Sequence, residues 1–533
     1  MLHPQRDNQS DKTQPRIPRK APMSRCRLIH YPLVARAADS VDGLSATTPG
    51  RWHVPAVEVS ITMNPLEARS LALRGWKQFT LVFLLLILAN LGWCGKIVYP
   101  WRATTAIVQR GESFEVWFDA DAGQSVDSVM LQGPFNAFSD PITIKTGRWV
   151  YDAASQNTYG TKITVAVPRS APAGRYDIVL NTSNGSVVSP AGVKVVKEYK
   201  TSYYILHFSD VHAFQNGHET TLDRLSTIVD VANIINPEIV FNTGDNLYRP
   251  TEDRMHQLFA GNDKLGTKGL NMLNAATFTV AGNHDTDFDH VPKLGSYREK
   301  AAWWNQWWGL QDYHFSYGSG RFMAINNGWE GFDPAQQIAA AGSWLQASGA
   351  GNFRLGAAHI RNKEMAAFDS VADLSLVLVG HNHYLAKENP SLLREKPVQY
   401  IANSVRDNME FNLFKVDAKT GTFTPVSGPT AQVVYVENPE DAESPQLYKP
   451  KLTLSFSSAN DGSFATNSAT IVNRFSFPIE GAKVRFVLPL GNSYSISNGE
   501  VEQSFDGTLV HVVDVLVDLE SNSTNRVQIS PQK

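Results

Sequence analysis

Three hydrophobic rhythms follow one another along this chain of 533 residues. From about 100 to 198, apolar and polar positions alternate with period two, as in Ser113-Phe-Glu-Val-Trp-Phe118 and Thr161-Lys-Ile-Thr-Val-Ala-Val167. That is the pattern of strands buried on one face. Pro168, Pro172 and Gly174 mark a turn before Tyr176-Asp-Ile-Val-Leu180, and Val193-Lys-Val-Val196 closes the stretch. Turn signals at this spacing predict a small immunoglobulin-like β-sandwich over 100–198. From 199 to 428 short apolar runs alternate with helical spacing. Tyr203–Leu206, Ile239–Phe241, Thr277–Val280 and Leu374–Val379 read as strands, while Leu222, Leu225, Val229 and Ala232 recur as on one helix face. This predicts an α/β layered core. Tyr313–Tyr317 and Arg321–Ile325 flank Gly318 as a hairpin. The stretch 429–450, acidic and proline-bearing from Glu437 to Pro445, reads as a linker. From 451 to 533 Leu452–Phe456, Lys483–Val487 and Val510–Val517 predict a C-terminal β-sandwich-like domain.

The first 99 residues follow none of these rhythms. Residues 1–62 are polar, basic and rich in proline, and read as disordered or as an extension upstream of the true start. A start at Met63 gives a better leader: Arg69, Arg74 and Lys77, then apolar Phe79–Trp93, with Gly92 and Cys94 as small residues near a cleavage point. Residues 63–99 are thus expected to be a signal peptide or a signal anchor. The apolar run reaches the roughly 20 residues of a span only if Ile97, Val98 and Tyr99 join it. The expected location is secreted or periplasmic, either free or anchored to a membrane through 79–99.

Composition narrows the chemistry. The formal charge is −3, from 48 Lys+Arg against 51 Asp+Glu, so no global basic excess argues for nucleic-acid binding. The 2 cysteines are Cys26 and Cys94. The main body therefore has no thiol for a disulfide framework, a cysteine-ligated metal or a cysteine nucleophile. Of 14 histidines, ten lie between His207 and His383. A metal in this chain belongs there, on nitrogen and oxygen ligands.

Five places in the α/β part end an apolar run with such ligands: Asp210-Val-His212, Gly244-Asp245-Asn246, Gly282-Asn283-His284-Asp285, His359 after Leu355-Gly-Ala-Ala358, and Gly380-His381-Asn-His383. Ligands at the carboxyl ends of strands converge on one rim of an open α/β sheet. On an extended segment, Asp-x-His and His-x-His put both side chains on one side. By the same alternation His284 is expected to point away from its neighbour Asn283. The preceding glycines permit a sharp turn off each strand. Imidazole and carboxylate ligands suit Fe, Mn, Zn, Co or Ni better than Ca or Mg alone. Each motif alone is weak; the ordered set is specific.

That ordered set resembles the calcineurin-like metallophosphoesterase superfamily, whose pattern is D-x-H, G-D, G-N-H-[DE], a later H, then G-H-x-H. The resemblance implies a metallophosphoesterase core, a β-sandwich with flanking helices, between the two β-rich parts. It implies that Asp210, His212, Asp245 and His383 bind one metal and that Asp245, Asn283, His359 and His381 bind the other, with Asp245 bridging. The cofactors would be two divalent or mixed-valence transition metal ions, Fe, Mn or Zn. His284 resembles the family's catalytic histidine, with Asp285 orienting it. Likeness to purple acid phosphatases is partial: their G-D-x-x-Y appears as Gly244-Asp-Asn-Leu-Tyr248, but His212 stands where they have glycine. Tyr248 is accordingly read as a neighbour of the centre and not a ligand.

The function expected is an extracytoplasmic phosphoesterase, in which a metal-bound hydroxide attacks a small-molecule, lipid or nucleotide phosphate ester. One alternative is a phosphodiesterase on nucleotides or phospholipid head groups. Another is a non-catalytic surface binding protein that works through its β domains. Trp303, Trp304, Trp307 and Trp308 share one helical face and are expected to pack, the other reading being an aromatic wall beside the site. His207 and His314 are expected to be structural, and His218 and His290 to lie in surface loops.

Overall fold

The alternation at 113–118 folds as a strand with Phe114, Val116 and Phe118 buried. The computed structural model describes residues 95–120, 123–138, 146–150, 158–215, 220–286, 297–329, 342, 344–345, 352–361, 374–383, 398–402, 404–428, 430–436 and 448–532. The extension, the leader up to Cys94, His218 and His290 lie outside the described residues. Gly95–Lys533 make one compact unit.

Two sheets form its first part. One runs β1 (Lys96–Tyr99), β3 (Ser113–Asp119), β7 (Thr158–Ala166), β6 (Thr146–Val150). The other runs β2 (Ala106–Gln109), β9 (Gly185–Val196), β8 (Gly174–Thr182), β4 (Val126–Gln132), β5 (Ala137–Phe138). Val116, Phe118, Leu131, Ile163, Ile178 and Val193 fill the space between them.

Two further sheets carry the middle of the chain. The first is ordered β12 (Ala276–Thr279), β11 (Ile239–Asn242), β10 (Ser202–Phe208), β18 (Glu410–Asp417), β19 (Thr422–Pro425), with β20 (Ala431–Gln432) also on β18. The second is β13 (Tyr313–Tyr317), β14 (Gly320–Ala324), β15 (Arg354–Ala357), β16 (Leu376–Val379), β17 (Val398–Ile401). The strands β10 to β12 pair in parallel, as do β14 to β17. Parallel strands covered on both faces are apolar throughout, which is why Leu376–Val379 and Ile239–Asn242 are buried at every position. Ile205, Phe241 and Phe278 meet Phe322, Leu355 and Leu378 between the sheets. Phe278 stacks on Phe315 with centroids 3.6 Å apart.

The outer faces are covered differently. Leu206 and Phe208 of β10 pack against α1 (Thr220–Ile235), through Leu222, Leu225, Ile228 and Val229. Asn236, left-handed at φ 60°, ends that helix. The next helix, α2 (Glu252–Ala260), is capped by Thr251 and stopped by Gly261 at φ 81°. The third, α3 (Tyr297–Trp307), carries Trp303, Trp304 and Trp307, and Trp308 follows it directly. Trp304 and Trp308 are fully buried and stacked, and Trp307 is nearly so. Packing is thus their role.

Beyond β20, Val434–Val436 (β21) pairs with Tyr448–Pro450 (β22), while 437–447 of the expected linker lie outside the described residues. The last part has two sheets: β23 (Leu452–Phe456), β24 (Asn467–Asn473), β29 (Ser523–Pro531), β26 (Tyr494–Ser497), and β25 (Ile479–Leu488), β28 (His511–Leu519), β27 (Glu500–Asp506). Their Ile471, Phe486 and Val515 belong to the same buried cluster as α1. Among the described residues no helix is long and apolar enough to cross a membrane.

Candidate metal centre

Five parallel strands end on one rim, and each is followed by a motif: Asp210 and His212 after β10, Asp245 after β11, Asn283 and His284 after β12, His359 after β15, His381 and His383 after β16. The loops are not extended. Asp210, His212, Asp245, His381 and His383 have φ of 54°, 44°, 53°, 72° and 53°, a left-handed conformation that costs a non-glycine residue about 1–2 kcal/mol. Neighbouring loops hold them there: Asp210 N donates to Gly244 O at 3.0 Å, His212 N to Asp245 O at 2.9 Å and Ala213 N to Asn246 O at 2.9 Å. Two residues apart in a run of left-handed turns, the ligands converge for a different reason from the strand alternation expected.

The glycines are also explained differently. Only Gly244 has a positive φ, 101°; Gly282 and Gly380 do not. At Gly282 a Cβ would lie 2.2 Å from Asp245 N, and at Gly380 it would lie 2.1 Å from Ser209 Oγ. They are needed for close approach between loops and not for the turn.

The side chains form three overlapping groups: Asp210, His212 and His383; His212, Asp245 and His284; Asp245, His359 and His381, with ligand atoms in each within 4.8 Å of one another. His212 Nε2 and His383 Nε2 face each other at 3.1 Å, with Asp210 Oδ1 3.2 Å from the latter. Two imidazole nitrogens that close need a proton or a cation between them. In the other half Asp245 Oδ2 is 3.2 Å from His359 Nε2, and Asn283 Oδ1 is 3.1 Å from that nitrogen. Asp245 Oδ2 is also 3.7 Å from His212 Nε2, so this carboxylate reaches both halves. The residues present fit two cations. Electrostatics agree. Burial would raise Asp210, but His212 and His383 hold it well below the usual carboxylate range. Burial would lower His359, yet Asp245 raises its imidazole to about 9. A cation that binds here takes the place of that proton, because an imidazole ligates only when neutral.

His284 does not point away. It begins a short 3-10 turn, His284–Thr286, so strand alternation does not apply. Its ring lies 5.0 Å from that of His212 and 5.5 Å from that of Tyr248, while the backbone N–H of His284 donates to Asp245 Oδ1 at 2.8 Å. Tyr248 is its neighbour. Asp285 was expected to orient His284; instead its fully buried carboxylate accepts four backbone N–H groups, from Asp245 at 2.9 Å, Asn246 at 2.8 Å, Leu247 at 3.3 Å and Gly282 at 3.1 Å. It fastens the Asp245 loop to the Gly282 loop. Its two oxygens are spent on those donors and not on the imidazole.

Other supports were not anticipated. His359 Nδ1 donates to Thr243 O at 2.6 Å. Asn327 Oδ1 accepts from His359 N at 3.1 Å and Ile360 N at 3.0 Å. Trp329 Nε1 donates to Gly282 O at 3.2 Å. Asn326-Asn327-Gly328-Trp329 follows the apolar run of β14, the same signal that marked the five motifs. His207 is buried between Thr243 and Asn412, and burial lowers it to about 3. It is structural, as expected.

Residues 203–385 match the family model described as calcineurin-like phosphoesterase. No curated protein matches the chain significantly. Among solved structures, the chain is similar to a purple acid phosphatase from yellow lupin (Lupinus luteus) seeds, with 13% identity over 59% of this chain and 69% of that one and a TM-score of 0.37. It is also similar to the calcineurin-like phosphoesterase YfkN from Bacillus subtilis, with 13% identity over 42% of this chain and 88% of that one and a TM-score of 0.28. Such distant likenesses carry no weight of their own. The family match spans the strand-end motifs from Asp210 to His383, and on that ground the middle of this chain is a calcineurin-like phosphoesterase domain, and the chain a metal-dependent phosphoric ester hydrolase.

Proposed function

We propose that this protein hydrolyses the P–O bond of a phosphate ester at a dinuclear centre, with water as nucleophile and His284 on the leaving-group side. The observation that carries the reading is the overlap of the three ligand groups, with His284 in the middle one. Two cations held by Asp210, His212, His383 and by Asn283, His359, His381, with Asp245 shared, would polarise the phosphoryl oxygens and acidify a water. Asp245 can serve both halves because its Oδ1 is already turned by the backbone N–H of His284 and its Oδ2 faces the imidazoles. His284, beside both halves, is placed to give its proton to the departing alkoxide as the P–O bond to it breaks and the bond to water oxygen forms. No covalent phosphoenzyme is needed.

The substrate class is a small-molecule, lipid or nucleotide phosphate ester. The flanking sheets we read as accessory domains, the first immunoglobulin-like. We further place the protein outside the cytoplasm, supported by the leader-like run before Cys94 and by a main body without thiols that suits an oxidising compartment. Fractionation of the native host tests that: recovery in the cytosol alone would refute it.

The central test compares p-nitrophenyl phosphate with bis-p-nitrophenyl phosphate on metal-loaded protein. Preference for the first supports a monoesterase and preference for the second a diesterase. In the same assay His284→Ala should keep both metals and lose about 10²–10⁴-fold in kcat. Unchanged turnover on both esters would remove His284 from the mechanism.

A further inference from the structure

We propose that Asp407, clamped by Arg406, is the positioning residue that fixes His383 as a ligand, so that the His383 half of the centre is held and tuned separately from the His359 half. The proposal rests on reading the site as a dinuclear centre. His383 turns Nε2 toward Asp210 and His212. An imidazole that ligates through Nε2 keeps its proton on Nδ1, and that proton needs an acceptor. Two groups face Nδ1: Asp407 Oδ2 at 3.1 Å and Arg406 Nη2 at 2.8 Å. A guanidinium has donors only, so Arg406 can bond Nδ1 only while the imidazole proton sits on Nε2; once Nε2 ligates and the proton is on Nδ1, the one acceptor of the two is Asp407.

Asp407 is itself fixed. Arg406 grips it as a fork, Nε to Oδ1 at 2.7 Å and Nη2 to Oδ2 at 2.7 Å, which sets the plane of the carboxylate. The other end of that guanidinium is bonded to Gln215 Oε1, three residues after His212. The backbone ties the same pieces together. Both residues lie on the short helix α4 (Val405–Asn408), whose cap Ser404 accepts from Asp407 N at 3.2 Å and donates to Asp210 O at 2.9 Å. Arg406 N also reaches Asp210 O, at 3.2 Å.

In the other half the imidazole of His359 has a neutral partner. His359 is fully buried, and its Nδ1 faces the neutral carbonyl of Thr243. The side chains of His383 and Asp407 are 26% and 40% exposed. A charged partner at the rim and a neutral one inside predict unequal halves, and removal of the charged one should loosen only the first.

The test is calorimetric titration of metal-stripped protein with Zn²⁺ alone. Wild type should take up two ions. Asp407→Ala should weaken one of them about 10–100-fold and leave the other as it was; Asp407→Asn, which keeps an acceptor oxygen without the charge, should fall between. In a His359→Ala background, Asp407→Ala should weaken the single remaining site by the same factor. Two unchanged sites, or two equally weakened sites in a stripped variant that melts like stripped wild type, would overturn the proposal. A wild type that binds fewer than two ions would overturn the dinuclear reading beneath it. If Asp407→Ala lowers the melting temperature of the stripped protein, the Asp407→Asn titration decides in its place: one weakened site supports the proposal and none refutes it.

Discussion

Gly282 shows how much of this site depends on single positions. Its φ is ordinary, but a side chain there would sit on Asp245 N and Asp245 Oδ1, each 2.2 Å from the added Cβ. Gly282→Ala must push apart the two loops that supply Asp245 and Asn283, so it should cost at least one bound metal per chain in an elemental assay. Gly160→Ala, where nothing lies within 4 Å of the added Cβ, should keep the wild-type metal content. Five ligands carry left-handed backbone, strain of the kind that persists only where surrounding structure over-determines it. Here that structure is the ladder between loops, reinforced by Asp285. Burial and then the neighbouring Asp245 push the Asp285 carboxyl upward, against four N–H donors that stabilise its charge.

Among the elements, the strands set the position of the site and the helices its rigidity. β10, β11, β12, β15 and β16 are short apolar runs that can pair in parallel because both their faces are covered. Their shared direction delivers every ligand to one rim. Rigidity enters through α3. Trp304 stacks on Trp308, meets Trp329 edge-on at 5.9 Å, and Trp329 holds Gly282 O. Trp304→Ala should therefore destabilise the protein by about 3–5 kcal/mol, read as a lower urea midpoint. A loss below about 1 kcal/mol would mean that the tryptophan layer collapses around the gap.

Across the whole molecule, buried polar groups join parts that the hydrophobic rhythm separates. Arg175 on β8 is half-buried and donates to Arg102 O at 2.8 Å, Ala191 O at 2.9 Å, Leu273 O at 3.0 Å and Thr277 Oγ1 at 3.0 Å, bracing the first part against β12. Gln503 on β27 pairs with both Ala173 N at 2.8 Å and Ala173 O at 2.7 Å. Beside it Asp514, wholly buried, binds Lys483 at 2.9 Å and Arg485 at 2.6 Å. Burial would raise Asp514, but those two cations hold it well below the usual carboxylate range. A depressed carboxylate stabilises the fold above its unfolded pKa of about 3.9, and that contribution fades as pH falls below this value toward the folded one. Asp514→Asn should cost about 1.5–3 kcal/mol near neutrality, because Arg485 loses its carboxylate and Lys483 keeps only Glu502, at 2.8 Å. The gap between variant and wild type should narrow below about pH 4. Urea midpoints at a series of pH values check this, and a gap independent of pH would refute the ionic account.

The sequence by itself determined the order of the parts, the strands that carry the site and the identity of the residues brought together there. Those properties rest on local signals: period-two and helical spacing, apolar runs, and metal-ligand residue types at the ends of those runs. Only the tertiary structure decided how the residues act. The left-handed loops, the use of Gly282 and Gly380 for close approach, the turn of His284 into the centre and the use of Asp285 on four backbone N–H groups all depend on loops far apart in sequence. The pairing of His383 with Asp407 depends on such a contact too. Local patterning cannot encode which carboxylate meets which donor, because that is settled by sheet order and by the few ångströms that separate one loop from the next.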